Sequence, residues 1–540
     1  MNLSTSESIS LYLSALAGIV LFLFSIQSLG HEVQALATEK FRKNLVKWVK
    51  NRFSGALAGA LSTALVHSST AITTITVALV NSGVISFHSS LGVILGSGVG
   101  TTITAQIALL SDTPIAPILV ILGFLMQFLG KKVKKYSNTV LYIGLILLSL
   151  GLVSASITTL SQNQVFDSLF TSFSSPLLAF LISFIFTVLV NSSSITTGLL
   201  VILASTGAIP ANMAIAMVLG ANMGTSITSL IVTHDYSLFA KRAGYANFFF
   251  KAIGSLIFLL LIKPFTHLMT MITSDIATQV ALSHLIFNLV NTFIFLLFLT
   301  PFEKFIKIVV PGDEKEVLLE TRYIDERKDK EFKEEIEDIK NELVYAVDNT
   351  IRIYEKSLGI YYNPTERLRL EIEKYETLND YLDDAITKAL LGLSRYKLSR
   401  KVAKESVVLV KISNTIEQLG DLGIDFGDVF RRMHKSAISP DEIPLQRLTD
   451  LYDKLMELFE GIKVQIKKQD IDELKAMKEY EEEIYAITRE EYDRHVQRLQ
   501  ESTSYDGNVF VDAVSVIELS VSKLRDIRKL LLGFAREFKK

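Results

Sequence analysis

The sequence predicts an all-α protein in which a polytopic membrane domain is followed by a soluble helical bundle. Charge is unevenly divided, because residues 1–310 carry only 24 Lys, Arg, Asp and Glu side chains while the remaining residues carry 88. The 59 positions between Arg52 and Asp112 contain no charged residue, and apolar sequence of that length is typical of a membrane domain. The absence of cysteine excludes a disulfide framework and any site built on cysteine.

Nine apolar runs divide the first 310 residues. The first run, 9–29, follows Glu7 without a preceding positive charge and is too long for the apolar core of a signal peptide, so we predict a spanning helix. The other runs cover residues 55–82, 91–110, 115–130, 139–160, 176–206, 212–232, 244–262 and 280–299.

Two of these runs, 55–82 and 176–206, are interrupted by polar clusters. The clusters are His67-Ser68-Ser69-Thr70 and Asn191-Ser192-Ser193-Ser194. The arms beside them have about 12–15 residues, or about 18–22 Å, which is short of the ~30 Å apolar thickness of a bilayer. Each run is therefore predicted to be a re-entrant hairpin, and the alternative is one full span that contains a few serines.

The positions of the basic residues favour the hairpins. With the amino terminus outside and both hairpins re-entrant, the basic clusters at 40–52, 131–135 and 241–242 all face the cytoplasm, as the positive-inside rule requires. A full span at 55–82 would instead put residues 131–135 outside. The same topology leaves the acidic second part in the cytoplasm, and the cell inner membrane is the expected location.

An internal repeat relates the two interrupted runs. A shift of 124 positions aligns the polar clusters and then aligns residues 100–104 with 224–228, with 13 identities in the 38 positions from 67 to 104. Three predicted spans lie between the hairpins, so the second copy would start from the opposite face. We therefore predict inverted-topology repeats, about 55–130 and 176–262, an architecture of secondary transporters that places the site near the bilayer midplane. The aligned glycines are assigned to close helix packing, and they are Gly83, Gly96, Gly207 and Gly220.

The polar clusters supply the chemistry of an anion site. A helix that resumes after a break presents free N–H groups and the positive end of its dipole, and the hydroxyls of the two clusters add further donors. Two such ends would hold a tetrahedral oxyanion without a buried Arg or Lys. Neutral oxygens of the kind that ligate Na⁺ occur at Thr101, Thr102, Thr104, Asn222, Thr225, Ser226 and Thr228. The scarcity of intramembrane carboxylates favours sodium over proton coupling.

These segments resemble the type II sodium–phosphate cotransporter family over about residues 10–300. The polar clusters are similar to its paired Gln-Ser-Ser-Ser motifs, and residues 220–228 are similar to its Gly-Ala-Asn-Ile-Gly-Thr stretch. Residues 242–251 and 281–288 resemble its two Ala-x-x-His-x-x-Phe-Asn segments, although the first ends in Phe250-Lys251. The resemblance implies that phosphate is bound by His67, Ser68, Ser69, Thr70, Asn191, Ser192, Ser193 and Ser194. It implies Na⁺, the coupling ion, at Ser69, Thr101, Thr102, Ser193, Asn222, Thr225 and Ser226.

Residues 321–540 predict an antiparallel bundle of long helices, joined to the membrane domain (1–310) by a linker at 311–320. Helical spacing of Glu, Lys, Leu and Ile is broken at Asn363-Pro364, Ser439-Pro440 and Asp506-Gly507.

Three acidic residues, Glu417, Asp421 and Asp425, lie one turn apart on one predicted helix face. They form either a solvated acidic face or the ligands of a divalent or iron-like metal. The string that contains them is similar to the Glu-Arg-Ile-Gly-Asp-His-x-x-Asn signature of PhoU proteins. The resemblance implies a PhoU-like domain of two three-helix bundles with one intact metal cluster.

The function predicted from these features is sodium-coupled symport of inorganic phosphate by alternating access, with a cytoplasmic regulatory domain. The sequence contains no Gly-x-x-x-x-Gly-Lys-Ser/Thr phosphate loop and no recognisable nucleophile–base pair, so no enzyme is predicted. The expected partners are phosphate, Na⁺ and the lipid bilayer; the acidic second part disfavours nucleic acid, and a homo-oligomer is left open. Two alternatives remain, a membrane-tethered phosphate sensor and a symporter for another oxyanion such as sulfate or arsenate.

Overall fold

The computed structural model of the chain describes residues 5–36, 46–49, 51–111, 114–160, 175–312, 316–324, 332–393, 398–435, 445–501 and 508–538. Within these ranges the regular structure is helical and no strand occurs, which confirms the predicted all-α class. The chain divides into two compact units, Met1–Glu316 and Val317–Lys540.

The first unit is built from a series of helices, most of them apolar. They are α1 (Thr5–Leu36), α2 (Arg52–Val66), α3 (Ser69–Asn81), α4 (Phe87–Thr101), α5 (Ile103–Ala108), α6 (Ile115–Met126), α7 (Lys131–Lys134), α8 (Ser137–Leu160), α9 (Pro176–Val190), α10 (Ser193–Ser205), α11 (Ala211–Gly224), α12 (Ile227–Val232), α13 (Leu238–Leu260), α14 (Ile262–Ile272), α15 (Ile276–Leu297) and α16 (Leu299–Val309).

Six helical segments of the described residues are long and apolar enough to cross a membrane. They are Ile9–Glu32, Phe87–Ala108, Ser137–Leu160, Ala211–Val232, Leu238–Leu260 and Ile276–Leu297. Many large apolar side chains of this unit face outward, and Leu260 at the end of α13 is 85% exposed. Such a surface is expected where lipid replaces water, so the chain is a membrane protein, as predicted.

The run 115–130, predicted as a span, forms a shorter helix than expected. Helix α6 has 12 residues and therefore a length of about 18 Å. Beyond Met126 the N–H groups of Gln127, Phe128 and Leu129 bond to the carbonyl three residues earlier instead of four. The end of the helix is thus tightened into 3₁₀-type turns before Gly130. The apolar character of the sequence did not reveal this change of hydrogen bonding.

Both interrupted runs are divided at their polar clusters. Helices α2 and α3 have 15 and 13 residues, and helices α9 and α10 have the same two lengths. None exceeds about 22 Å, so no arm alone reaches across a ~30 Å apolar layer. The two arms of each pair contact one another.

Glycines let the first arm of each pair approach a long helix closely. A Cβ added at Gly96 would lie 1.9 Å from the Ala56 carbonyl oxygen, and one at Gly220 would lie 2.2 Å from that of Phe180. These contacts join α2 to α4 and α9 to α11, which confirms the packing role predicted for both glycines. Gly83 and Gly207 were assigned the same role wrongly. They have φ of 72° and 73° and end α3 and α10, so they serve turns that need a left-handed residue.

Two central helices cross the first unit between the divided runs. Helix α13 contacts α3, α4 and α11, while helix α15 contacts α4, α10 and α11. Each central helix therefore packs on the second arm of one divided run. The interior they share is lined by buried phenylalanines, including Phe250 and Phe287.

The second unit is a bundle of six long helices in its described part. They are α17 (Phe332–Tyr362), α18 (Glu366–Gly392), α19 (Arg400–Lys435), α20 (Leu445–Lys468), α21 (Ile471–Glu501) and α22 (Asn508–Phe538). The predicted break at Asn363-Pro364 falls between α17 and α18, where Thr365 caps α18 through its side chain. The other two predicted breaks, at Ser439-Pro440 and Asp506-Gly507, lie outside the described residues.

The six helices pack as two groups of three around one core. Helices α17, α18 and α19 contact each other, and so do α20, α21 and α22, while α19–α22 and α17–α20 contacts join the groups. Tyr354 lies fully buried between them and its hydroxyl is 2.6 Å from that of Ser520. Arg528 pairs with Glu481 in the same interior through two contacts of 2.6 and 2.9 Å.

Candidate functional site

The first polar cluster forms the break between α2 and α3. His67 ends α2 in the left-handed conformation (φ 53°, ψ 24°), and Ser68 caps α3 by accepting a hydrogen bond of 3.2 Å from the N–H of Ala71. Ser69 then begins α3 and is buried. Its hydroxyl has no hydrogen-bond partner among the described residues, and the first N–H groups of a helix have no partner within it. The break therefore presents unused donors at a helix N-terminus.

The second polar cluster repeats this backbone geometry. Asn191 ends α9 with φ 54° and ψ 31°, and Ser192 caps α10 by accepting from the N–H of Ile195. The cap residues Ser68 and Ser192 differ by only a few degrees, with φ and ψ of −148° and 104° against −152° and 107°. Ser193 and Ser194 are buried at the start of α10.

The copies are joined by contacts that cross from one to the other. Helix α5 packs on α10, and helix α12 packs on α3. Thr104 of α5 donates to the hydroxyl of Ser194 at 3.4 Å, so a threonine of the first copy reaches the serine cluster of the second. Within the second predicted copy, Thr228 of α12 donates to the side-chain oxygen of Asn191. The second polar cluster thus contacts a threonine from each of the two Gly-Thr segments.

The Gly-Thr segments interrupt the long helices α4–α5 and α11–α12. Their side chains are buried, and the hydroxyls of Thr102 and Ser226 donate to carbonyls three residues earlier, at 2.7 and 2.5 Å. Thr101 donates to the Ser97 carbonyl, and Thr225 to that of Asn222. Each hydroxyl has its donor satisfied and keeps lone pairs, which are the groups that would face a cation.

The sequence prediction did not assign a role to Lys251, which lies buried on α13. Lys251 is only 2% exposed and donates to Thr225 Oγ1 at 3.0 Å. His284 is buried with neither ring nitrogen partnered among the described residues, and the side chain of Asn222 is equally unpartnered. A lone lysine within the apolar run 244–262 was the available signal, since ionisable residues at membrane depth are expensive and tend to be functional.

The predicted metal ligands do not form a metal site in the part of the chain that the structure describes. Glu417, Asp421 and Asp425 lie on α19 as expected, but no group of three His, Cys, Asp or Glu side chains converges closely enough to hold an ion. Four residues of helix rise by about 6 Å, whereas oxygen ligands must lie within about 2.6 Å of a cation. Glu417 and Asp425 are eight residues apart, or about 12 Å along the helix axis, so the three carboxylates of this helix do not converge on one cation.

The same carboxylates form an acidic groove with helix α18. Burial, with the negative charges of Asp380 and Asp421, raises the pKa of Glu376 to about 7. Burial and Asp421 also raise the pKa of Glu417. Crowded carboxyl groups hold their protons more tightly, because the negative charge of one ionised group opposes the ionisation of the next. Glu376 is therefore partly protonated near neutral pH.

A model of a known protein family matches the region that contains both breaks. The sequence model of the family described as Na⁺/Pi-cotransporter matches residues 21–155 and again residues 145–274. The first match contains the break at His67 and the second contains the break at Asn191.

Relatives of known sequence extend this similarity. A protein of Escherichia coli (strain K12) with the provisional name inorganic phosphate export protein YjbB is 24% identical over 537 residues, or 96% of this chain and 95% of that protein. The uncharacterized protein YqeW of Bacillus subtilis (strain 168) is 27% identical over 271 residues, or 50% of this chain and 88% of that protein. Sodium-dependent phosphate transport protein 2B of Homo sapiens is 38% identical over 106 residues, or 18% of this chain and 15% of that protein.

Proposed function

Because the chain belongs, through residues 21–274, to the Na⁺/Pi-cotransporter family, we propose that it moves inorganic phosphate across the cytoplasmic membrane by Na⁺-coupled symport. The observation that carries this proposal is the pair of serine-capped breaks with matching backbone geometry. Each offers a helix N-terminus with unused N–H groups and a buried hydroxyl, and Thr104 of the first predicted copy reaches Ser194 at the second break. Such donors suit an oxyanion.

In this proposal phosphate lies between the two breaks. Ser69 and Ser193, which begin α3 and α10, donate their hydroxyls and their N–H groups to its oxygens. The other cluster residues shape the turns or add donors, and they are His67, Ser68, Thr70, Asn191, Ser192 and Ser194. Buried hydrogen bonds to a charged group contribute about 1.5–3 kcal/mol each, so a few of them suffice to hold phosphate without a cation in direct contact.

Na⁺ ions in this account offset the charge of phosphate and supply the driving force. Their oxygen ligands would come from Ser69, Thr101, Thr102, Ser193, Asn222, Thr225 and Ser226. Moving one negative charge inward against a potential of 100 mV costs about 2.3 kcal/mol. Uptake of phosphate therefore requires accompanying cations, and a neutral, hydroxyl-rich site suits Na⁺.

The architecture we propose is an inverted repeat of about 55–130 and 176–262 with two re-entrant hairpins. The mutual contact of the two arms and the distribution of basic residues support this arrangement, in which the run 115–130 still counts as a span. The amino terminus then lies outside. Residues 1–310 form the transport domain, 311–320 the linker, and 321–540 a cytoplasmic PhoU-like regulatory domain. Alternating access follows from movement of one repeat against the other.

Phosphate export is a second candidate, favoured by the name of the relative that aligns over 95% of its own length. An inside-negative potential drives an anion outward, so export would need no Na⁺ gradient. The same binding site could serve either direction, and the coupling alone would differ.

Flux of radiolabelled phosphate in proteoliposomes of the purified chain tests the proposal. The membrane potential is set with K⁺ and valinomycin, and Na⁺ is replaced by choline in the control. We expect uptake that requires an inward Na⁺ gradient and stops with choline. Outward flux driven by potential alone would establish export instead, and binding without flux in either direction would favour a phosphate sensor.

A further inference from the structure

Lys251 is a buried cation without a carboxylate partner among the described residues. It lies in the middle of α13, is almost completely shielded, and its ammonium donates to one neutral oxygen, Thr225 Oγ1, at 3.0 Å. Leaving a charge buried without a counter-charge is strongly unfavourable. A charge in this position must therefore be offset by something that the resting fold does not itself supply.

The oxygen that holds Lys251 belongs to the neutral set expected to ligate Na⁺. The Thr225 hydroxyl donates its proton to the Asn222 carbonyl at 3.2 Å, so it meets the ammonium through a lone pair. A Na⁺ ion would use the same lone pair. The side-chain oxygen of Asn222, one helical turn earlier, is buried and has no partner in the described part of the chain.

The corresponding residue on the other central helix is neutral. Phe250-Lys251 on α13 and Phe287-Asn288 on α15 end the two similar segments of the sequence. Helix α13 packs on α3, whereas helix α15 packs on α10, so each of the two residues lies on a helix that contacts the second arm of one divided run. The Asn288 side-chain oxygen is buried and unpartnered among the described residues. One central helix thus carries an ammonium where the other carries an amide.

We propose that the Lys251 ammonium takes the place of one coupling Na⁺ at the Thr225 oxygen. Both are monovalent cations that bind neutral oxygens, and the lysine supplies its charge without being transported. The chain then binds phosphate with one Na⁺ fewer than a variant with a neutral residue at this position. This inference rests on the Na⁺ coupling proposed above and refines which of its oxygens are free to bind Na⁺.

Equilibrium binding of radiolabelled phosphate to the purified full-length protein tests it, with Na⁺ varied at constant ionic strength against choline. In Lys251→Asn we expect phosphate binding to require about one more Na⁺ ion than in wild type. A tenfold rise in Na⁺ concentration should then lower the Kd for phosphate about tenfold more than it does in wild type. Lys263→Asn is the matched control, because Lys263 is an exposed lysine on α14, and it should keep the wild-type dependence.

Two results would overturn the inference. Phosphate binding that weakens in Lys251→Asn with an unchanged Na⁺ dependence would make Lys251 a direct ligand of phosphate. A variant with the phosphate affinity and the Na⁺ dependence of wild type would show that Lys251 has only a structural role. The measurement is of binding, so failure of the flux experiment would not affect its outcome.

Lys251→Met keeps the test decisive if Lys251→Asn does not fold. It removes the ammonium and keeps the length of the side chain, so the lone pair of Thr225 Oγ1 becomes free for Na⁺. Phosphate binding should then depend on about one more Na⁺ than in wild type, and an unchanged Na⁺ dependence would contradict the proposal.

Discussion

His67 and Asn191 fix the two turns on which the candidate site depends. Both hold a left-handed backbone, with φ of 53° and 54°, and each is followed directly by the serine that caps the next helix. For L-residues this conformation costs roughly 1–2 kcal/mol, and Asn tolerates it better than most. The strain lies where the donors for an anion are assembled, as is common at functional sites.

The turn predicts opposite effects for two substitutions at position 67. His67→Gly should keep or raise stability, because glycine adopts positive φ without a steric cost. His67→Val should lower it by about 1–2 kcal/mol, since a branched side chain opposes this backbone. Thermal unfolding in detergent, followed by circular dichroism, measures both, and Leu65→Val on the exposed face of α2 is the control. Equal melting temperatures for the two position-67 variants would contradict the account.

For individual residues, the sequence predicted the helix breaks at the two polar clusters but not the contact between Lys251 and Thr225. The clusters were visible because two polar strings recur at a fixed shift of 124 within apolar runs. Lys251 and Thr225 are 26 positions apart on different helices, and no local periodicity reports such a contact.

The two divided runs are held to the long helices by backbone-to-backbone approach. Besides Gly96 and Gly220, a Cβ at Gly59 would lie 2.2 Å from the Val93 carbonyl oxygen, and one at Gly100 would lie 2.2 Å from that of Ala60. Contacts under 3 Å with backbone cannot be relieved by turning a side chain. The helices must move apart, and the position of the break relative to α4 changes with them.

Gly96→Ala should therefore destabilise the first unit by at least about 1–3 kcal/mol, the range for overpacking a tight contact. Gly130→Ala is the matched control, because a Cβ there meets nothing within 4 Å. The melting temperature of the purified protein in detergent is the measurement. If Gly96→Ala and Gly130→Ala melted together, the close approach of α2 to α4 would be refuted.

Elements were predictable where composition changes sharply. The polar clusters located the ends of α2, α3, α9 and α10 to within a few residues. The interruptions near Thr102 and Ser226 and the early end of α6 were not predicted, because both depend on hydrogen bonds to the carbonyl three residues earlier. Apolar character is the same on either side of such a change.

Charge organises the whole molecule more clearly than any single motif. Among the described residues, the sparsely charged first part corresponds to the unit with six candidate spans, and the densely charged second part corresponds to the bundle of six long helices. This division could be predicted because charged residues are costly in lipid. The acidic groove of α18 and α19 was predicted only in part, since Glu376 comes from a helix whose packing on α19 no sequence pattern shows.

The proposed topology predicts the side on which three loops lie. Because the chain has no cysteine, a single introduced cysteine reports its own position. Trp48→Cys and Val133→Cys should react with a membrane-impermeant maleimide only after the cells are opened, whereas Met271→Cys should react in intact cells. With 55–82 as a full span, positions 48 and 133 would lie on opposite sides. With 176–206 as a full span, positions 133 and 271 would lie on the same side.

The most direct test of the central claim is the number of phosphates bound per chain when either serine is removed. We propose that the two breaks form one site, so the purified protein should bind one phosphate, and Ser69→Ala or Ser193→Ala alone should weaken that binding by about 10–100-fold, as expected for loss of a hydrogen bond to a charged group. Ser205→Ala, at the opposite end of α10, should bind as wild type does. If either serine variant still bound one phosphate per chain with wild-type affinity, the breaks would not share a site and the account would be wrong.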